Sequence, residues 1–136
     1  MYQHILIPTD GSELAHKGVV HGLSLAKEVG AKVTVLTVEA FNFYDASESQ
    51  VKDAQEHAAS ILNGIANEAK AAGVKCETLQ VIQHDPDVAI VTTAKERGCD
   101  LIVIASHGRS GIAAALLGSV TAKVLTRTVI PVLVCH

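Results

Sequence analysis

The sequence predicts an α/β fold in three layers, an open five-stranded parallel sheet with helices on both of its faces. Short apolar runs alternate with amphipathic helical stretches along the whole chain, and strands joined by helices of this length pair in parallel through right-handed crossovers. The run Leu101 to Ala105, LIVIA, is apolar at every position, as expected for a strand that is buried on both faces of such a sheet.

The first strand and helix have clear boundaries in the sequence. His4 to Pro8 is an apolar run that stops at a turn, and Ser12 is a suitable N-cap for the helix that follows. Gly30 ends that helix, and the β-branched run Val33 to Val38 is the second strand. The buried face of the helix is predicted from small apolar residues three and four positions apart: Ala15, Val19, Gly22, Ala26 and Val29.

A longer helix follows and ends at Gly73, before a third strand predicted at Lys75 to Ile82. Its apolar stripe, which predicts the face against the sheet, consists of Val51, Ala54, Ala58, Ile61, Ile65, Ala69 and Ala72.

The last third of the chain repeats the same alternation. Asp85 and Pro86 predict a helix start, with Asp as the cap and Pro at the first helical position, and that helix ends near Gly98. After LIVIA, a last helix is predicted at Leu116 to Leu125 and a last strand at Pro131 to Cys135. Periodicity leaves two strand orders open, 3-2-1-4-5 and 2-1-3-4-5; in both, ligands bind at the carboxyl ends of strands where the winding reverses.

Composition narrows the class of protein. A length of 136 residues predicts one domain, residues 1–136, and a net charge of −3 argues against nucleic acid as a partner. Three widely spaced cysteines without a CxxC pair indicate neither a zinc site nor a disulfide framework. With no signal-peptide pattern and no apolar run near the ~18 residues of a membrane span, we expect a soluble, cytoplasmic protein.

Two strand-to-helix turns carry the candidate chemistry. The first is Pro8 to Ser12, and the second is the glycine-rich stretch Ala105 to Gly111, followed by Gly118 and Ser119. Glycines allow backbone N–H groups to approach a phosphate, and Ser110 and Ser119 add hydroxyl donors. Neither GxGxxG nor GxxxxGK[ST] is present, so the pattern indicates anion binding without the signature of strong phosphoryl transfer.

The segments ILIPTDGS, DLIVIASHGRSG, LLGSV and PVLVC together resemble the universal stress protein family over essentially the whole chain. Nucleotide-binding members have the pattern Gly, two residues, Gly, nine residues, then Gly-Ser or Gly-Thr. Gly108 and the pair Gly118-Ser119 fit that pattern, whereas Ala105 occupies the position of the first glycine.

The resemblance implies strand order 3-2-1-4-5, an adenine nucleotide alpha hydrolase-like architecture, and a bound adenine nucleotide. By position, the family's site falls on Pro8, Thr9, Asp10 and Val38 for adenine, on Ile104 and Ala105 for ribose, and on Gly108, Gly118, Ser119 and Val120 for phosphate. The expected ligand is ATP, with ADP and AMP left open, and Asp10 is a candidate for holding Mg²⁺ between phosphates.

A homodimer is also expected. The last strand, Val129 to Cys135, carries no charge and is an edge strand in the implied order. The family pairs this strand with its symmetry mate, which predicts an interface made by Val129, Ile130, Pro131, Val132, Leu133 and Val134.

The leading functional hypothesis is an ATP-binding regulatory module in the stress response, with a protein partner that the sequence does not identify. The alternatives are a slow Mg²⁺-dependent ATP hydrolase and a nucleotide-free dimeric scaffold. No residue is assigned as catalytic, since His107 has no carboxylate or cysteine partner in the sequence, and His84 is given no role. The aromatic segment Phe41 to Tyr44 is interpreted as a loop packed on the core, or else as a flap over adenine or a surface for a partner.

Overall fold

In the computed structural model, the described residues are 1–40, 44–108 and 117–136. The strands in chain order are β1 (His4–Pro8), β2 (Lys32–Glu39), β3 (Cys76–Ile82), β4 (Leu101–Ala105) and β5 (Val132–Cys135). The helices between them are α1 (Glu13–Val29), α2 (Glu48–Ala71), α3 (Pro86–Glu96) and α4 (Ser119–Arg127).

The sheet is parallel throughout, with the strand order β3-β2-β1-β4-β5. This confirms the predicted fold class and selects the first of the two strand orders that periodicity left open. The chain winds outward from β1 to β3 and then outward in the opposite direction from β4 to β5. The reversal lies between β1 and β4, so the carboxyl ends of these two strands form the expected crevice.

Each face of the sheet is covered by two helices. Helices α1 and α2 pack on the face formed by the odd-numbered residues of the central strands, such as Ile7, Val33 and Val103. Helices α3 and α4 cover the opposite face, formed by even-numbered residues such as Leu6 and Ile102. All five residues of β4 are buried, which confirms the interpretation of LIVIA as a central strand.

Helix α1 packs on the sheet through two glycines that leave no room for a side chain. A Cβ atom added at Gly18 would lie 3.0 Å from the backbone nitrogen of Ala105, and one added at Gly22 would overlap the side chain of Ile7. The helix begins and ends where predicted: the Ser12 hydroxyl accepts from the Ala15 N–H at 3.1 Å, and Gly30 takes a left-handed conformation with φ of 73°.

One prediction about the middle of the chain is wrong in detail and another is confirmed. The buried residues of α2 are Ala58, Leu62, Ile65 and Ala69, so Leu62 rather than Ile61 is the fully buried residue of that turn. At the start of α3, Asp85 is the N-cap and Pro86 the first helical residue, as predicted, although the Asp85 side chain makes no capping hydrogen bond.

The last two elements begin later than the sequence predicts. Helix α4 begins at Ser119 rather than at Leu116, because Gly118 is extended, with φ of −68° and ψ of 159°, and forms the N-cap. Strand β5 begins at Val132, although the Pro131 carbonyl still accepts from the Ile102 N–H at 2.9 Å.

Two observations bear on the remaining class predictions. No helix in the described part of the chain is both long and apolar enough to cross a membrane. Cys76, Cys99 and Cys135 are free thiols, and burial raises the pKa of Cys99 to about 11.

Candidate functional site

A cavity of about 570 Å³ opens at the carboxyl ends of β1 and β4, where the winding of the sheet reverses. Its volume lies within the usual range for small-molecule sites. Its walls include these residues that the sequence singled out: Pro8, Thr9, Asp10, Val38, Ile104, Ala105, Gly108, Gly118, Ser119 and Val120. Ser110 lies outside the described residues. The structure thus brings the predicted residues of four separate segments together around one cavity.

The turn after β1 forms one wall and is fixed by its own side chains. The Thr9 N–H donates to the Leu36 carbonyl at 2.9 Å, which ties the end of β1 to β2. The Gly11 N–H donates to the Thr9 hydroxyl at 3.1 Å, and the Ser12 N–H donates to Asp10 Oδ1 at 3.0 Å. This Asx-type turn starts α1 and holds the Asp10 carboxylate at the mouth of the cavity.

Gly108 shows why a glycine is needed after β4. A Cβ atom at Gly108 would lie only 2.5 Å from Asp10 Oδ2, so a side chain at position 108 would displace the Asp10 carboxylate. The turns after β1 and β4 therefore approach each other across the switch point, and the glycine leaves room for the Asp10 carboxylate between them. This close approach is a contact that the sequence pattern alone does not reveal.

The structure also explains how alanine fits at position 105. Odd-numbered residues of β4, such as Val103, pack on the α1 side of the sheet, so the Ala105 methyl points toward α1. Gly18 stands behind this position and keeps the helix backbone close to Ala105. The extra methyl is therefore directed toward α1 and away from the α4 wall of the cavity.

The start of α4 provides a set of hydrogen-bond donors. The Gly118 N–H donates to the Ser106 carbonyl at 2.7 Å, and the Thr121 hydroxyl donates to the Ala105 carbonyl at 2.9 Å. Because the N-cap is a glycine without a side chain, the first turn has no side-chain cap among the described residues. The N–H groups of Ser119, Val120 and Thr121 are therefore a suitable cradle for an anion.

The rest of the cavity wall is largely apolar, and most of its residues were not singled out from the sequence. The additional wall residues are Ala15, Leu36, Pro86, Ile90, His107, Leu117 and Thr121, of which only His107 had been considered as a functional residue. Leu36 and Ile90 belong to the core on the α3 face, and neither was singled out from the sequence. Only the strand order, which places β2 beside β1, together with the packing of α3 on β2, could have indicated them.

The backbone of Val38 has a distinctive position in this apolar wall. The Leu36 carbonyl faces β1, since it accepts from the Thr9 N–H. Alternate residues of a strand face the same side, so the N–H and C=O of Val38 also face the β1 side, beyond the point where β1 ends at Pro8. Val38 thus presents a donor and an acceptor toward the cavity.

Three further expectations have different outcomes. The His107 Nδ1 lies 3.2 Å from the Ser106 hydroxyl, while its Nε2 is buried without a hydrogen-bond partner among the described residues. The described residues contain no cluster of three or more His, Cys, Asp or Glu that could hold a metal ion, so Mg²⁺ at Asp10 remains a prediction. Phe41 and Phe43 lie outside the described residues, and Tyr44 is 97% exposed.

Comparison with known proteins gives a consistent result. The model of the universal stress protein family matches residues 1–136. Universal stress protein YxiE of Bacillus subtilis is 32% identical over 150 residues, covering 98% of this chain and 99% of that protein.

Two solved structures are similar over nearly their whole length. The structure of protein MJ0577, a universal stress protein of Methanocaldococcus jannaschii, superposes with a TM-score of 0.89 at 30% identity, covering 99% of this chain and 96% of that one. A universal stress protein in complex with cAMP superposes with a TM-score of 0.80 at 32% identity, covering 99% and 97%.

Proposed function

Starting from the fact that this chain belongs to the universal stress protein family, we propose that it binds an adenine nucleotide in the cavity between β1 and β4. We further propose that it acts in the stress response as a cytoplasmic regulatory module, formed by one domain of residues 1–136. The observation that carries the proposal is the convergence of the predicted residues on one cavity, which is lined by apolar side chains and by the N-terminus of α4. The complex of a 32% identical relative with cAMP supports the same ligand class.

The apolar end suits a purine base. Leu36, Pro86, Ile90 and Ile104 line a slot between the sheet and α3, where a flat aromatic ring would be removed from water. At the edge of this slot, Val38 offers one N–H and one C=O. Adenine presents a 6-amino donor beside the N1 acceptor, whereas guanine presents an O6 acceptor beside an N1–H donor, so the two bases need opposite partners. We therefore expect adenine nucleotides to bind in preference to guanine nucleotides.

The anionic end suits a phosphate. The first turn of α4, Ser119 to Thr121, lines this end, and the helix macrodipole adds partial positive charge there. A Cβ atom at Gly118 would lie 3.2 Å from the Ser106 carbonyl and 3.4 Å from the His107 Cα. A side chain at position 118 would thus crowd the cradle, and a negatively charged one would also repel the phosphate.

Calorimetric titration of the nucleotide-stripped protein tests this function. We expect AMP, ADP, ATP–Mg²⁺ or cAMP to bind the wild type with GTP much weaker, and we expect binding to be lost in Gly118→Glu. Gly64→Glu is the matched control, because Gly64 is exposed in the middle of α2 and a Cβ atom there has open space. No binding of any adenine nucleotide to the wild type would refute the proposal and favour the nucleotide-free scaffold.

Turnover distinguishes a binding module from a slow Mg²⁺-dependent hydrolase. Phosphate released in excess over protein, and abolished by Asp10→Asn, would favour the hydrolase. We expect no more than trace release, because the glycine-rich turn carries no lysine.

We also propose a homodimer through β5. The two sheet edges differ: β3 exposes Glu77, Thr78 and Gln80, whereas the β5 edge exposes Val129 fully and Leu133 at 42%. Charged and polar side chains protect an edge from pairing, and an apolar edge favours it. Light scattering at tens of micromolar should give the dimer mass for wild type and for Thr78→Lys, and the monomer mass for Leu133→Lys. A monomeric wild type would refute this part of the proposal.

A further inference from the structure

The main chain of Ser106 joins the cavity to the edge of the sheet. Its N–H donates to the carbonyl of Cys135 in β5, and its carbonyl accepts from the N–H of Gly118, the N-cap of α4. Both N···O distances are 2.7 Å, at the short end of the range for backbone hydrogen bonds. One residue therefore bonds at the same time to the anion cradle and to the last residue of the edge strand.

Side chains reinforce this link on both sides. The Thr121 hydroxyl bonds to the Ala105 carbonyl at the end of β4. Val120, which lines the cavity, also packs in the apolar cluster that contains Val132 and Val134 of β5. Any ligand that fixes the first turn of α4 thus fixes groups that hold β5 against β4.

Strand β5 is a short edge strand that can respond to such a ligand. It has four residues and pairs with β4 on one side only, and short edge elements open at a lower free energy than the core. The Ile102 N–H donates to the Pro131 carbonyl and the Ser106 N–H donates to the Cys135 carbonyl. Odd-numbered residues of β5 therefore face β4, while the N–H groups of Val132 and Val134 point outward.

We propose that a ligand bound in the cavity selectively stabilises β5 on β4 through Ser106, so that occupancy of the cavity is read at the outer edge of the sheet. This inference rests on the proposed nucleotide site. If the edge also binds a second copy of the chain, linkage requires that pairing and nucleotide affinity strengthen each other by the same factor.

Amide hydrogen exchange followed by NMR tests the proposal. The reporter is the N–H of Leu133, which faces β4. The control is the N–H of Leu79, which faces β2 from the opposite edge strand, because the Val33 N–H bonds to the Lys75 carbonyl and odd residues of β3 share that side. With saturating AMP or cAMP, we expect exchange at Leu133 to slow at least about fivefold more than at Leu79, the lower end of typical coupling between sites.

Two truncated chains test whether the hydrogen bond from Ser106 to Cys135 carries the effect of the ligand to β5. A chain ending at Val134 lacks the carbonyl that accepts from Ser106, whereas a chain ending at Cys135 keeps it and loses only the exposed His136. The extra slowing should persist in the longer chain and disappear in the shorter one, with calorimetry showing that both still bind the ligand. Equal slowing at both edges in the wild type would overturn the inference, because uniform stabilisation by mass action explains it. Absence of calorimetric binding would instead refute the proposed function itself.

Discussion

The ion pair between α3 and α4 offers the sharpest test of how the cavity walls are held. Asp87 lies in the first turn of α3 with a side chain only 4% exposed, and its Oδ2 is 2.7 Å from Nε of Arg127, whose side chain is 57% exposed. The contact joins two charges, but the Asp87 Oδ2 is not in a well-aligned hydrogen bond. The pair therefore acts mainly by charge compensation of a buried carboxylate.

Replacing Arg127 with leucine leaves that carboxylate without its counter-charge. Removing one partner of a fully buried pair costs about 3–5 kcal/mol, and the exposure of Arg127 reduces this to about 2 kcal/mol. Part of the charge remains compensated, because an acidic side chain at a helix N-terminus gains about 0.3–1 kcal/mol from the dipole. With a urea m-value of about 2 kcal/mol/M, the unfolding midpoint should fall by about 1 M.

Urea unfolding at neutral pH measures the change in unfolding midpoint caused by Arg127→Leu, with Lys123→Leu as the control. Lys123 is exposed on the same helix and has no ion pair within the described residues, and leucine, arginine and lysine have similar helix propensities. In a protein that already carries Asp87→Asn, Arg127→Leu should change the free energy of unfolding very little, because no buried carboxylate is left to compensate. If Arg127→Leu unfolds at the same urea concentration as Lys123→Leu, charge compensation is not what the pair contributes.

Three further predictions concern the close approaches and the titratable groups. Gly108→Ala should weaken nucleotide binding about tenfold, or by ~1.4 kcal/mol, because the new Cβ displaces Asp10 Oδ2. Calorimetry measures this loss, and an unchanged affinity would contradict the predicted crowding. Gly18→Ala should lower the free energy of unfolding by about 1 kcal/mol, because the new methyl overpacks against the β4 backbone. Gly64→Ala, where α2 has open space, should raise it by roughly 0.5–1 kcal/mol. Equal effects of the two substitutions on urea unfolding would refute the packing argument. Burial, and then the charge of Lys32, lower the pKa of His4 below 6.5. The unfolded chain therefore binds this proton more tightly, and the free energy of unfolding should fall as the pH drops below about 6.5. His4→Gln should make the free energy of unfolding less dependent on pH in this range, and an unaltered pH profile would show that His4 does not cause the dependence.

Most of the fold could be predicted because local rules and tertiary packing agree. Ser12, Gly30 and the run Leu101–Ala105 act through caps, a left-handed turn and continuous burial, and each lies where it was expected. Helix α2 is different. It spans roughly 36 Å at 1.5 Å per residue, longer than β3, so its first turns extend beyond the sheet and the apolar residues there are less buried than their periodicity suggests.

The candidate site could be predicted where it depends on glycine and proline, and less well where it depends on strand order. The spacing of Gly108 and Gly118 indicates a ligand site, although it does not reveal which groups approach them, such as Asp10 at Gly108. Leu36 and Ile90 line the cavity only because β2 lies beside β1 and α3 packs on β2, and no local pattern distinguishes such residues from ordinary core. The connection between β5 and α4 through Ser106 could not be predicted for a related reason, since both of its hydrogen bonds are made by the main chain of Ser106 and not by its side chain.

Because the candidate site depends on backbone N–H and C=O groups, only some experiments can detect the groups that form it. The donors of α4, the paired groups of Val38 and the bridge at Ser106 would all survive replacement of their side chains by alanine. Alanine substitutions at Val38, Ser106, Ser119 and Val120 would therefore leave those backbone atoms in place and miss their contribution, in contrast to Gly108→Ala, which adds a side chain. Amide-to-ester substitution at Val120, which deletes one backbone donor and leaves every side chain in place, probes those atoms directly.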